Sequence, residues 1–251
     1  MPSHAHGSGD GGSRFPATRG SVLASLAGDD ESARATAWED LVGVYWRPVY
    51  KYIRLRWRRN PHDAEDLTQG FFTKALEKDF LSRYDPGRAR FRTYLRTCLD
   101  GYVLNEAQAS TAAKRGGGKA ALSLDFPDAE REVGTQPAPR EDQIDEFFRT
   151  EWVRGLFASA LADLKRTLER AGHGARFDAF QRYDLAESEP RPTYEELGRE
   201  FGVPATTVTN WLHDARRRFR GHVLDRLRAT TATDEEMREE ARALFGKEYD
   251  R

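Results

Sequence analysis

A chain of 251 residues, 38% hydrophobic and 32% charged, is long enough for one or two domains but too polar for long buried sheets. No stretch reaches the roughly 18 uncharged apolar residues of a membrane span. The start, M-P-S-H-A-H-G-S-G-D-G-G-S, lacks the apolar block of a secretory signal. A soluble, cytosolic protein with no membrane partner is therefore predicted. A single cysteine, Cys98, excludes an internal disulfide framework and a Cys-rich zinc site.

The net charge of −1 conceals separate territories. Residues 36–119 carry 16 Lys and Arg against 10 Asp and Glu, and residues 120–151 carry 3 against 9. Residues 152–228 carry 14 against 11, and the remainder of the chain, from 229 onward, 4 against 7. Two basic blocks thus flank an acidic joint, and a second acidic stretch follows them.

Residues 1–20, rich in Gly, Ser and His, cannot offset the entropy of ordering and are predicted to be a disordered arm. From Trp38, within a first domain placed at 21–113, Leu41, Val42, Tyr45, Val49, Tyr52 and Ile53 recur at helical spacing. Asn60-Pro61 then offers a cap and a first-turn proline to D-A-E-D-L-T-Q-G-F-F-T-K-A-L, whose acids crowd the positive end of the helix. A third helix is expected from Phe91 to Ala113, with Phe91, Leu95, Cys98, Leu99, Tyr102 and Val103 inward. Around it Arg88, Arg90, Arg92, Arg96, Lys114 and Arg115 surround Tyr94 and Tyr102. Cations interleaved with rings suit single-stranded DNA, because charges track the backbone while rings stack on unpaired bases. Tyr102 continues the inner face and reads as core, whereas Tyr94 reads as a DNA contact.

Residues 114–143 contain glycines and three prolines without a sustained period, as expected of a flexible linker. Its acids have two places to go, the basic channels of a partner or the basic faces of this protein. A second domain, 144–230, opens with Phe148, Trp152, Leu156, Ala160, Leu164 and Leu168, spaced every four residues. Thr193 and Glu196 fit a capping box for a short helix, Gly202-Val203-Pro204 a tight turn, and Val208, Leu212, Ala215 and Phe219 the inner face of a longer helix. Its outer stripe holds Thr206, Asn210, His213 and Arg217, with Thr207, Arg216, Arg218 and Arg220 beside it. Small polar groups at the front can read base edges, and arginines behind them can grip phosphates. Residues 231–251 form an acidic C-terminal helix or tail. No alternation supports a strand pair, so the fold class is all-α: two helical domains joined by a flexible linker, the second with a helix-turn-helix.

The segment from Thr193 to Arg220, T-Y-E-E-L-G-R-E-F-G-V-P-A-T-T-V-T-N-W-L-H-D-A-R-R-R-F-R, resembles the fourth conserved region of bacterial RNA polymerase sigma factors, which reads the promoter element near minus 35. The run from Asp63 to Leu76 is similar to the part of the second conserved region that grips the clamp coiled coil of the polymerase's largest subunit. Phe91 to Glu106 resembles the adjoining helix that melts and reads the minus 10 element. Two such regions on a short linker resemble the extracytoplasmic-function (ECF) type, in a divergent subgroup. The resemblance spans residues 36–119 and 145–228. It implies core polymerase binding through Asp63, Asp66, Gln69 and Thr73, and minus 10 contacts through Arg88, Arg90, Arg92, Tyr94, Arg96, Asn105, Lys114 and Arg115. It further implies minus 35 contacts through Thr206, Thr207, Asn210, His213, Arg216, Arg217 and Arg220. Core polymerase and promoter DNA are the expected partners, near the nucleoid, with control by an anti-sigma or other regulatory protein left open. Asp100-Gly101 departs from the Arg-Asn of many members, so no relative's minus 10 preference transfers.

Enzymatic readings are weaker. His62-Asp63 lacks the further ligands of a metal-dependent phosphohydrolase. G-G-G-K-A lacks the hydroxyl residue and preceding strand of a phosphate-binding loop. Cys98 lies on an inner helix face, where a thiol packs rather than attacks. No cofactor, no metal and no turnover chemistry are expected. The alternative is a helix-turn-helix regulator that acts on DNA without stable polymerase binding.

Overall fold

The computed structural model describes residues 23, 26, 28, 30–77, 83–110, 124–134, 137–186 and 190–246. The predicted N-terminal arm lies outside them, as do Lys114 and Arg115. The regular elements among the described residues are all helical, with no strand among them.

Helix α1, Glu31–Arg56, begins seven residues before the expected Trp38 because the Asp30 carboxylate accepts from the amides of Ser32 and Ala33, at 3.0 and 3.1 Å. All six residues named for its inner face are buried. Helix α2, Pro61–Glu77, starts where Asn60 Oδ1 accepts from the Asp63 amide at 2.9 Å, with proline at the first helical position. Helix α3, Phe91–Ser110, buries Phe91, Leu95, Leu99 and Val103, and leaves Cys98 and Tyr102 half-buried.

The joint departs from a flexible tether. Within 114–143, residues 126–133 form helix α4, Phe126–Val133, capped by Asp125 and seated on α1 through Phe126, Ala129 and Val133. The Phe126 ring meets Trp46 edge-on at 5.6 Å and tilts against Tyr50 at 5.1 Å. A 3₁₀ turn at Glu141–Gln143 leads into α5, Ile144–Arg170, whose six residues at four-residue spacing are all buried. Helix α6, Gly174–Phe180, runs into a π-helical turn at Gln181–Leu185. Then come α7, Tyr194–Phe201, α8, Ala205–Thr230, and α9, Asp234–Phe245.

The capping box forms as expected: the Thr193 hydroxyl accepts from the Glu196 amide at 3.2 Å, and Glu196 accepts from the Thr193 amide at 2.7 Å. Gly202 ends α7 with φ of +68°, a left-handed conformation that glycine adopts without a Cβ penalty. Gly198 is needed for a different reason, since a Cβ there would sit 2.7 Å from the Val203 carbonyl oxygen.

Two cores are strung along α5 and α8. Leu164 and Leu168 of α5, with α6, α7 and Val208, Leu212 and Ala215 of α8, form the smaller one. The other halves of the same two helices, Ile144 to Ala160 and Val223 to Ala229, enter a single large core with α1, α2, α3, α4 and α9. The pairing of opposite halves makes α5 and α8 antiparallel, each roughly 40 Å long. Phe219 joins the two cores, with its ring 5.7 Å from Phe157 and 5.8 Å from Phe180.

The seam between α1 and α5 has a specific geometry. Pro48 has no amide to donate to the Val44 carbonyl four residues back. Gly155 of α5 comes against that carbonyl so closely that a Cβ would clash with it, and the Ser159 hydroxyl donates to the Gly43 carbonyl at 3.0 Å. Beside the seam Lys51, 1% exposed, pairs with Glu151, 2% exposed, at 2.6 Å, and also reaches Glu132. The expected division into separately folded units therefore meets a continuous core, because α5 buries its first half on α1.

Candidate polymerase and nucleic-acid interfaces

Three surfaces carry the residues selected from the sequence. The first is the outer face of α2. Ala64, Thr68, Phe71 and Phe72 are buried, which turns Asp63 and Asp66 to solvent. Asp63 is engaged by the Asn60 amide group at 2.9 Å, and Asp66 lies 3.4 Å from exposed His62. The backbone at His62, and then Asp66, raise the imidazole pKa. Gln69 and Thr73 are half-buried further along, and the Thr73 hydroxyl donates to the Gln69 carbonyl at 2.9 Å. Lys74 ties this helix to α3 through Glu106 at 2.6 Å.

The second surface comprises α3 and the loop before it. Arg88 is exposed beside Asp85 at 3.3 Å. Arg90 pairs with Glu239 at 2.8 Å and with Glu240; Arg92 also pairs with Glu240 and lies over the Trp152 ring at 5.1 Å. Arg96 sits 3.0 Å from both Asp100 and Asp145. Tyr94 is half-buried against Tyr84, ring centroids 5.2 Å apart, and burial followed by its hydrogen bond with Cys98 raises its pKa. Tyr102 tilts against Phe71 at 5.7 Å. Asn105 is exposed. The helix does not bring this set together on one face. Arg92 and Arg96 flank the core on the side of α5 and α9, and Tyr94 and Asn105 lie roughly 150° round the axis.

Asp100 has a structural role here. It accepts from the Tyr52 hydroxyl at 3.0 Å, the Trp57 indole at 3.1 Å and Arg96 at 3.0 Å, joining α1 to α3. Burial first, and then the Asp100 charge, push the Tyr52 pKa up to about 12.

The third surface is the exposed side of α8. Thr206, Asn210, His213 and Arg217 all face solvent on one stripe, with Thr207 half-buried beside them. The arginines behind them are engaged within the protein. Arg216 makes a two-pronged pair with Asp184 at 2.9 and 3.0 Å, and Arg217 and Arg218 share Asp214 at 2.7 and 2.8 Å. Partial burial raises the Asp214 pKa, but the hydrogen bonds from Arg218 and Arg217 outweigh it, so the net shift is downward. Arg220 lies over the Phe245 ring at 5.2 Å.

The sequence reading missed the acids that occupy these arginines. Asp214 was available at helical spacing from Arg217 and Arg218. Asp184, Glu239 and Glu240 were not, because their partners are distant in the chain. It also passed over Arg47, Lys51 and Arg54 on α1, which α4 covers. Arg47 meets Asp128 at 2.5 Å and Glu132 at 2.9 Å, Arg54 grips Glu130 at 2.5 and 2.8 Å, and the Tyr50 hydroxyl donates to Glu130 at 2.6 Å.

Among the described residues no helix is long and apolar enough to cross a membrane, and no three His, Cys, Asp or Glu side chains gather as a metal site. No curated protein and no solved structure matches the chain. Residues 41–112, which span most of α1 and all of α2 and α3, match the family model of Sigma-70 region 2.

Proposed function

We propose that this protein is a sigma factor of the extracytoplasmic-function type that directs core RNA polymerase to a set of promoters, with no turnover chemistry of its own. The observation that carries the reading is the match of residues 41–112 to Sigma-70 region 2. In this reading residues 21–113 are the region 2 domain and 144–230 the region 4 domain. The outer face of α2, with Asp63, Asp66, Gln69 and Thr73, meets the clamp coiled coil of the largest subunit. Helix α3 and its preceding loop take the minus 10 element, through Arg88, Arg90, Arg92, Tyr94, Arg96 and Asn105. Helices α7 and α8 act as a helix-turn-helix at minus 35. The solvent-facing alignment of Thr206, Asn210, His213 and Arg217 supports this, with uncharged groups toward the start of α8 for base edges. Arg216, Arg217 and Arg218 follow, where exchanging Asp184 and Asp214 for phosphate is a like-for-like trade.

In vitro transcription with core polymerase and a genomic promoter library tests the reading. Promoter-dependent initiation should appear only when this protein is added. Initiation no greater than with core alone overturns it, and tight duplex binding without any stable complex with core would instead establish a regulator acting on DNA by itself.

A further inference from the structure

Helix α9 lies over arginines assigned above to the minus 10 strand. Glu240 is 1% exposed and accepts from both Arg90 and Arg92, and Glu239 takes the second arm of Arg90 at 2.8 Å. Met237 and Ala241 are buried beneath them, and Leu244 and Phe245 are half-buried against the same core. These acids present carboxylate oxygens to guanidinium groups where a nucleic-acid strand would present phosphate oxygens.

The seat has a built-in cost. Glu240 Oε2 is buried with no hydrogen-bond partner, and burial pushes the Glu236 carboxyl pKa up. Only Thr231–Thr233 link this 12-residue helix to α8. A helix with exchangeable charge pairs and an uncompensated buried oxygen can be displaced by a competing polyanion.

We infer that α9 is an autoinhibitory cover, an intramolecular stand-in for the DNA strand that occupies Arg90 and Arg92 in the free protein and leaves when promoter DNA is engaged. This rests on the assignment of Arg90 and Arg92 to the minus 10 strand. A cover closed about nine-tenths of the time lowers apparent affinity about tenfold.

The experiment compares the native full-length chain, the Glu239→Gln/Glu240→Gln variant and the Arg90→Ala/Arg92→Ala variant. Each is titrated with a fluorescently labelled single-stranded DNA oligonucleotide of mixed sequence at low ionic strength, and each is assayed for initiation with core polymerase. The glutamine variant should bind the strand about tenfold more tightly than the native chain. In the native chain, amide hydrogen exchange across residues 234–245 should accelerate on addition of strand. Unchanged affinity in a folded glutamine variant, or unchanged protection of 234–245 at saturating strand, overturns the cover. If the glutamine variant does not fold, the exchange measurement on the native chain decides alone. The alanine variant separates the two ideas. Should it lose initiation while the cover tests fail, only the cover falls; should it keep both strand binding and initiation, the minus 10 assignment falls.

Discussion

Helices α4 and α9 are both short and acidic, and both lie across arginines from earlier in the chain, yet they are held in different ways. Helix α4 binds the side of α1 through carboxylates that retain solvent: Asp128, Glu130 and Glu132 face Arg47, Lys51 and Arg54 in a row along one helix. Helix α9 uses one buried carboxylate, Glu240, for two arginines on the approach to α3 and its first turn. The first seat spreads charge over several half-wet pairs, each worth little alone. The second concentrates it where breaking one pair strands the rest. The comparison shows how similar acidic composition gives a distributed clasp in one place and a single-point lock in another.

The largest effect is expected where the clasp reaches the deep core. Lys51→Ala removes the partner of Glu151, a carboxylate 2% exposed that keeps Arg154 at 2.5 Å, and should cost about 3–5 kcal/mol in chemical denaturation. Replacing both, as Lys51→Met with Glu151→Leu, should recover most of that loss. A Lys51→Ala protein as stable as the native chain would show that the pair is not buried in solution.

Next comes the floor that α4 and α5 share. Gly155→Ala places a methyl group against the Val44 carbonyl, which cannot retreat because it belongs to a helix backbone, and should cost about 1–3 kcal/mol. Gly43→Ala, whose nearest neighbour would be the Ser159 hydroxyl at 3.8 Å, is the control and should cost nothing or stabilise by up to about 1 kcal/mol, since alanine is the better helix former. Because alanine is the better helix former at both positions, equal losses from the two would mean that the close approach to the Val44 carbonyl does not set the cost. A smaller change is expected from Glu130→Gln. Its partner Arg54 retains some solvent exposure, so thermal unfolding should report a loss of about 1 kcal/mol, with Trp46 fluorescence following the release of Phe126.

What was legible in the chain follows the range of the interactions involved. The four-residue rhythm from Phe148 to Leu168 and the capping box at Thr193 are local, and both are present as written. Helix α4 was not legible, because eight residues opening on Phe-Pro are too few for a period, and its stability comes from partners about 80 residues upstream. The same holds for the rear half of α8. Val223 and Leu227 fit a generic inner face, and nothing local says that their core belongs to α1. For the candidate sites, the sequence supplied the side chains on α2 and α8 and the surfaces they share. It could not supply the acids that cover the arginines, nor the separation of Arg92 from Tyr94 around α3.

The finest distinction between the two acidic helices is their response to pH. On α4, the Arg54 hydrogen bonds hold the Glu130 carboxyl below its ordinary value near 4.5, and Arg131 followed by Arg47 do the same for Asp128. A depressed folded-state pKa gives stability that is fully present above the unfolded value and lost as the pH falls through the folded one. On α9, burial raises Glu236 above 4.5, with the Ala232 amide, Arg92 and Arg90 opposing and Glu240 reinforcing. A raised carboxyl pKa has the opposite sign: its contribution is full below the unfolded value and declines as the pH rises through the folded one. Acidification from neutrality toward about pH 4.5 should therefore let Glu236 tighten the seat of α9 while α4 is unaffected, and only further acid should loosen α4. Hydrogen exchange resolved by helix and corrected for the intrinsic pH dependence reads both at once. Simultaneous loosening of 126–133 and 234–245 would show that the two seats respond as one. A Glu236→Gln variant whose α9 protection no longer rises on mild acidification would place the difference on that single carboxyl group.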